Sequence, residues 1–355
     1  MKPRLLSCLV LVLTWGPLLA QKPKSPIALS KMMIRLPAGP KAQSAVQLPF
    51  QRIDVVDMRF DTSKLGYTTK NAGFKTINLG EGVASGLRNW LQSRFQSGKA
   101  NGRELVLVLR HLWMNPVRKA ELGHGENRDV TENHFISLCE VRIDAFVKGS
   151  AGFQTLVRID TVFESRSSLL YGASDLLQQP FDLLAEKISL LDIDGIVATR
   201  RIISSEELLH QYKQRLNKPR IESDTMVKGI YLTFNDFLDN RVTAQDFVVE
   251  KDAAGIHLAH PGGSEQRQIE KFWGFCDGNT HYIKIGHNFF QLYRDGNTYS
   301  FFGATTVSHR YHANTGAAIA SVVIGTNYNN ALQPSPSIVN ILRPMQLDME
   351  TGKAR

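Results

Sequence analysis

Cysteine is scarce in this chain: 355 residues hold three, Cys8, Cys139 and Cys276. Cys139 and Cys276 stand far apart with no spacing signature, so they read as two separate buried thiols rather than a bridge. Long apolar runs are scarce as well. The longest, Leu5 to Leu19, spans 15 residues, short of the roughly 20 that a membrane-crossing helix needs. Nucleotide-binding strings are missing: there is no Gly-x-x-x-x-Gly-Lys-Ser/Thr and no Gly-x-Gly-x-x-Gly. A serine-hydrolase elbow is missing too, since Gly82-Val83-Ala84-Ser85-Gly86 puts its serine one place late. No His-Glu-x-x-His string occurs, and no cofactor is expected.

What is present begins with a leader. Lys2 and Arg4 precede the apolar run, which closes on Leu18-Leu19-Ala20-Gln21. A charged segment, an apolar segment and a small residue at the cut make residues 1–20 a cleavable signal peptide, and predict export to the periplasm or the cell exterior. Removing them takes away Lys2 and Arg4 and no acid, leaving 40 basic residues (42 minus 2) against 33 acidic, a net of +7. These charges are scattered, so a solvated cationic surface is expected and nucleic acid is not an expected partner. An envelope protein or glycan remains a possible partner class.

Residues 21–49 carry Pro23, Pro26, Pro37, Pro40 and Pro49 with four lysines, which reads as an extended leader segment. From 50 to 220 the pattern predicts an α+β domain, an antiparallel sheet with helices packed on one side. A strand starts near Arg52, and a turn follows at Lys64-Leu65-Gly66. An amphipathic helix carries Val83, Leu87, Trp90, Leu91 and Phe95 on one face. Leu105 to Leu109 is a continuous apolar run that suits a central strand covered on both sides.

Val141 to Val147 and Val157 to Phe163 alternate apolar and charged residues across the turn Lys148 to Gly152. Closing a three-residue loop between Gly149 and Phe153 sets Arg142 against Asp160, Ile143 against Ile159 and Asp144 against Arg158, so charge and apolar pairing choose one register. A second helix is predicted after Ser174, with Pro180 near its first turn. Asp192 and Asp194 read as a helix end capped by Gly195. A third helix starts at Ser204, where Glu207 completes a capping-box spacing.

Beyond residue 225 the chain turns aromatic and turn-rich. Short segments between Gly229 and Phe302, separated in part by Asp277-Gly278-Asn279 and Asp295-Gly296-Asn297, predict a β-rich meander over 225–350. The uncharged stretch 316–325 reads as a buried segment or a contact between subunits.

Few residues offer chemistry. His309 and His312, with His281 and His287 upstream, are the metal candidates; on a strand or loop, two histidines three apart do not share a face, and no bound metal is expected. Asp236 and Asp239 belong to a small acidic turn read as solvated. Asp236, Asp277 and His281 are the candidates for a ligand or hydrolytic site at the domain boundary.

Two resemblances follow from these residues. Val56-Asp57-Met58-Arg59, the Leu65-Gly66 turn, the amphipathic helix and the strand at 105–109 resemble, over residues 50–165, the small α+β domain of envelope lipoproteins that assist lipid and polysaccharide transporters. The chain departs from that family at its anchor, because most of the apolar run follows Cys8. Together with Gly229 to Phe237 and Phe272 to Gly278, the chain also looks like uncharacterised exported proteins of Gram-negative bacteria, which lend no activity. These readings imply a non-catalytic binding or assembly module. The alternatives are a hydrolase of envelope sugars or peptides and a structural oligomer subunit.

Overall fold

The structure, a computed structural model, describes residues 29–37, 48–70, 73–95, 102–122, 131–216, 226–252, 255–259, 272–286, 288–303 and 343–355. Residues 1–20, expected to be a signal peptide, the 316–325 stretch, His287, His309 and His312 lie outside the described residues. Among the described residues the fold is mixed α+β, with two large sheets, a two-stranded ribbon and five helices.

The first sheet takes β1 (Ser30–Ile34), β2 (Arg52–Asp57), β3 (Gly66–Lys70), β4 (Gly73–Leu79), β5 (Glu104–Leu122), β6 (Thr131–Gly149) and β7 (Gly152–Ser165). Its order is β1-β4-β3-β5-β6-β7, with β2 also on β5. The expected antiparallel sheet is in fact mixed. β1 runs parallel to β4, and β2 runs parallel to β5. Parallel neighbours need a long crossover, and α1 (Val83–Arg94) forms part of the one that joins β2 to β5. The reading of 21–49 as an extended leader also changes: Ser30 to Ile34 is a sheet strand, and Leu48 and Phe50 are buried in the core.

Helices cover both faces rather than one. Leu105, Leu107 and Leu109 point into a core shared with α1, α2 (Leu169–Ser189) and α3 (Ile193–Thr199), where Trp90 meets Phe181 edge-to-face at 5.8 Å. Val106 and Val108 point the other way, onto Leu208 and Tyr212 of α4 (Ser205–Leu216). The apolar run at 105–109 is therefore a central strand with both faces covered, because successive side chains alternate sides.

The β6–β7 register places Arg142 on Asp160, Ile143 on Ile159 and Asp144 on Arg158. The turn differs from the expected one. Gly149 pairs with Gly152 across a two-residue loop, and a bulge beyond Ala145 leaves Leu156 unpaired and shifts the ladder by one residue. Leu156 is buried. A two-residue turn is the favoured hairpin closure, and the bulge reconciles it with the charge register.

Helix boundaries move as well. Ser168 caps α2, its hydroxyl accepting from the Leu170 amide, so the helix starts at Leu169 and Pro180 lies mid-helix. Burial of Leu176, Leu177, Phe181, Leu184 and Ile188, at about 1.5–3 kcal/mol each, outweighs the roughly 3 kcal/mol that an interior proline costs. Asp192 begins α3 by accepting from the Gly195 amide, where a helix end was expected. Ser204 accepts from the Glu207 amide, as its spacing predicts.

The second sheet is a meander of β8 (Gly229–Tyr231), β11 (Gly274–Cys276), β12 (His281–Ile285), β13 (Asn288–Asp295), β14 (Thr298–Gly303) and β15 (Arg343–Gln346). Between β8 and β11 come the one-turn helix α5 (Phe234–Leu238) and the ribbon β9 (Val248–Asp252) with β10 (Gly255–Ala259). Cys139 and Cys276 are both buried and free.

Gly66 shows how tightly the first sheet is drawn together. It has φ +141, and a Cβ there would stand 1.7 Å from the Met114 carbonyl oxygen, where β3 meets β5. Gly66→Ala is expected to cost on the order of 3 kcal/mol or more, measured as a shift in urea midpoint. A midpoint unchanged from the parent would refute the close approach.

Candidate functional site

After β15 the chain turns back on itself as a hairpin: the Gln346 amide bonds the Arg355 carbonyl, the Arg355 amide bonds the Gln346 carbonyl, and the Asp348 amide bonds the Lys353 carbonyl. The hairpin sets two carboxylates, Asp348 and Glu350, against the charged face of β5, β6 and α4. Arg142 Nη2 donates to Asp348 Oδ2 at 2.9 Å, and Nη1 donates to Glu350 Oε2 at 2.5 Å. Arg110 Nη2 reaches Glu350 Oε1 at 3.3 Å, and Arg215 of α4 donates to the same oxygen. Arg355 Nη2 returns to Asp348 Oδ2 at 2.6 Å.

Behind this layer lies Asp144, 1% exposed. It accepts from Arg158 Nε at 2.6 Å and from the Tyr212 hydroxyl at 2.5 Å. The Tyr212 pKa is raised, by burial first and then by the bond to Asp144. For Asp348 and Glu350 burial alone would favour the neutral acid. The arginines outweigh it: Arg355 and Arg142 hold Asp348 below the usual carboxylate range, and Arg215, Arg110 and Arg142 do the same for Glu350.

A second bridge joins the sheets beside it. Lys64 Nζ contacts Asp61 at 2.7 Å and Asp295, in β13, at 2.5 Å, while Gln346 Nε2 donates to Asp61 at 2.7 Å. Burial would lower the Lys64 pKa, but the two aspartates raise it. Between the sheets a cavity of about 30 Å³ is lined by Arg59, Asp61, Arg110, His111, Asp348 and Glu350, among others. That is room for about one water.

The candidates read from sequence lie elsewhere. Asp236 is the third residue of α5 and completes a capping box with Thr233, and Arg241 Nε donates to it at 3.0 Å. Asp277 folds its own turn, accepting from the amides of Asn279 and Thr280 at 2.8 Å each. His281 is 5% exposed among the rings of Tyr231, Phe237 and Tyr299. Burial pushes its pKa down to about 4, against the pull of Asp277. Its Nε2 has no hydrogen-bond partner among the described residues. The fold thus brings Asp277 and His281 to one hairpin but commits Asp236 and Asp277 to backbone caps. No group of three or more His, Cys, Asp or Glu side chains suited to a metal occurs among the described residues.

The interface arginines were missed as a cluster. Arg142, Asp144, Arg158 and Asp160 are visible in sequence only as cross-strand pairs; Arg110, Arg215 and Glu350 carry no local signal. No protein-family model, curated protein or solved structure matches the chain.

Glu350→Gln leaves three guanidiniums facing a neutral group and is expected to cost about 3 kcal/mol. Asp160→Asn removes a carboxylate whose side chain is 66% exposed and is expected to cost less than about 1 kcal/mol. Urea denaturation of both variants measures the contrast; equal costs would refute the buried cluster.

Proposed function

We propose that the chain is an exported envelope protein, periplasmic or on the outer surface, that works as a non-catalytic binding or assembly module. The observation that carries this reading is the ribbon formed by β5 and β6. The two strands stay paired from Val117↔Ile136 out to Leu122↔Thr131. β7 accompanies β6 only as far as Ser137, and β2 and β3 meet β5 no farther out than Met114. Among the described residues, the six outer pairs therefore have no third strand.

A ribbon of six pairs reaches about 20 Å at strand rise. Two strands alone are marginal in water, and their outward amide and carbonyl groups are a template for a partner strand. Such an arm suits attachment better than solitary stability. Asp348 and Glu350 at the joint are paired with arginines, and Asp236 and Asp277, named for the hydrolytic alternative, accept from backbone amides, which supports the binding reading. The leader at residues 1–20 supports export, and no helix among the described residues is long and apolar enough to cross a membrane.

The test combines processing with attachment. N-terminal sequencing of native material is expected to begin at Gln21. The full chain is expected to form crosslinks in envelope fractions, and replacing residues 120–133 by Asn-Gly, a favoured two-residue turn, is expected to abolish them while leaving the thermal midpoint within a few degrees of the parent. Met1 retained on a soluble cytosolic chain would overturn export, and unchanged crosslinks in the shortened chain would overturn the arm.

A further inference from the structure

The hairpin at 346–355 is fastened by a bond that only an uncharged histidine can accept. His111 lies on β5 next to Arg110. Arg355 Nη1 stands 2.6 Å from His111 Nε2. A guanidinium has no acceptor and does not lose its proton in proteins, so Nε2 is the acceptor and the ring proton sits on Nδ1. Protonation would turn Nε2 into a donor pointed at a cation.

We propose that His111 is a pH-sensitive catch: neutral, it holds Arg355 and keeps the hairpin seated on β5 and β6; protonated, it repels Arg355 and lets the hairpin lift. The inference does not depend on the binding role proposed above.

The groups facing His111 decide the sign. Glu140, from β6, stands 3.7 Å from Nε2 and favours the charged ring. Asp348 of the hairpin favours it too, while Arg355 opposes it. Glu140 and Asp348, however, are both already bonded to Arg355. The cavity wall adds Arg59, Asp61, Arg110 and Glu350, and of these Asp61 is engaged by Lys64 and Glu350 by Arg110, Arg142 and Arg215. Burial is the largest influence on the ring and, with Arg355, outweighs the acids, so the His111 pKa is lowered.

The sign then follows from linkage. A histidine whose folded pKa is depressed contributes its full stability above the unfolded value of about 6.5 and loses it as pH falls from there toward the folded value. Asp348 and Glu350, with pKa values lowered below their ordinary ones, stay ionised in mild acid. His281 is buried among the aromatic rings of the second sheet, where burial pushes its pKa down to about 4. Of these groups His111 is the one that accepts from Arg355, so its charge is the one coupled to release of the hairpin. Lifting the hairpin would also part Asp348 from Arg142 of β6, leaving it only Arg355, its partner within the hairpin.

Hydrogen exchange on the full chain tests this. The reporters are the amides of Gln346, Asp348 and Arg355, whose bonds run within the hairpin and are expected to fray once β5 and β6 no longer cover it, compared at about pH 7.5 and about pH 5 after correction for intrinsic exchange. Their protection is expected to fall about tenfold or more in mild acid while that of Ile143 in the sheet core holds. His111→Gln, whose side-chain oxygen accepts from Arg355 at any pH, is expected to keep the protection. No fall in the parent, or an equal fall in the variant, would overturn the proposal. If the variant does not fold, the His111 ring signals in the parent serve instead: their titration midpoint must coincide with the change in the hairpin amides, and separate midpoints would overturn it.

Discussion

Everything at the joint between the two sheets depends on the meeting of Arg142 with Asp348 and Glu350. One guanidinium spans both carboxylates of the hairpin, and it is itself 7% exposed. Removing a charge from water is costly, and only close, multiply bonded partners offset that cost. The arginines are so arranged. Arg110 and Arg215 approach Glu350 from β5 and α4, and Arg355 approaches Asp348 from within the hairpin. Each carboxylate meets more than one cation, and each cation serves more than one element. Such a cluster adds little net energy compared with an apolar seam of the same size, but removing one member leaves its partners buried and uncompensated.

That constraint explains why the first sheet carries charge on a face that is covered. Alternation along β6 puts Arg142 and Asp144 on the side away from the α1–α2 core, the side that water would be expected to take. The hairpin and α4 take it instead. Asp144 is satisfied from three directions, by Arg110, Arg158 and the Tyr212 hydroxyl. The same face holds an apolar patch around Val106, Val108 and Phe146 closed by α4, so helix packing and ion pairing share one surface. The second sheet follows different rules. Its core is aromatic, with Phe237 packed against Tyr231, Trp273, Tyr299 and the neutral ring of His281. A histidine there acts as one more ring, because desolvation keeps it uncharged.

Local pattern carried a good part of this architecture. Strand β5, the face of α1, the cap of α4, the β6–β7 charge register and the turns of the meander all follow from neighbours a few residues apart, where periodicity and turn chemistry operate. The errors have local causes too. Thr233-Phe234-Asn235-Asp236 is a capping box, and Asp192 followed by Gly195 marks the start of a helix; both read as turns or ends because helices of one or two turns are too short to show a period.

The amino-acid sequence by itself determined the α+β class, the central strand, the Arg142–Asp160, Ile143–Ile159 and Asp144–Arg158 pairs and the separation of the two thiols, since each rests on side-chain alternation or on chain distance. Tertiary structure alone decided that Ser30 to Ile34 joins the sheet, that β2 runs parallel to β5, that α4 covers the opposite face, and that Glu350 meets Arg110, Arg142 and Arg215. Those partners are separated by 240, 208 and 135 positions. No window of sequence spans such distances: a charged residue looks the same whether water or an arginine from another element will face it, and only the folded chain chooses between them.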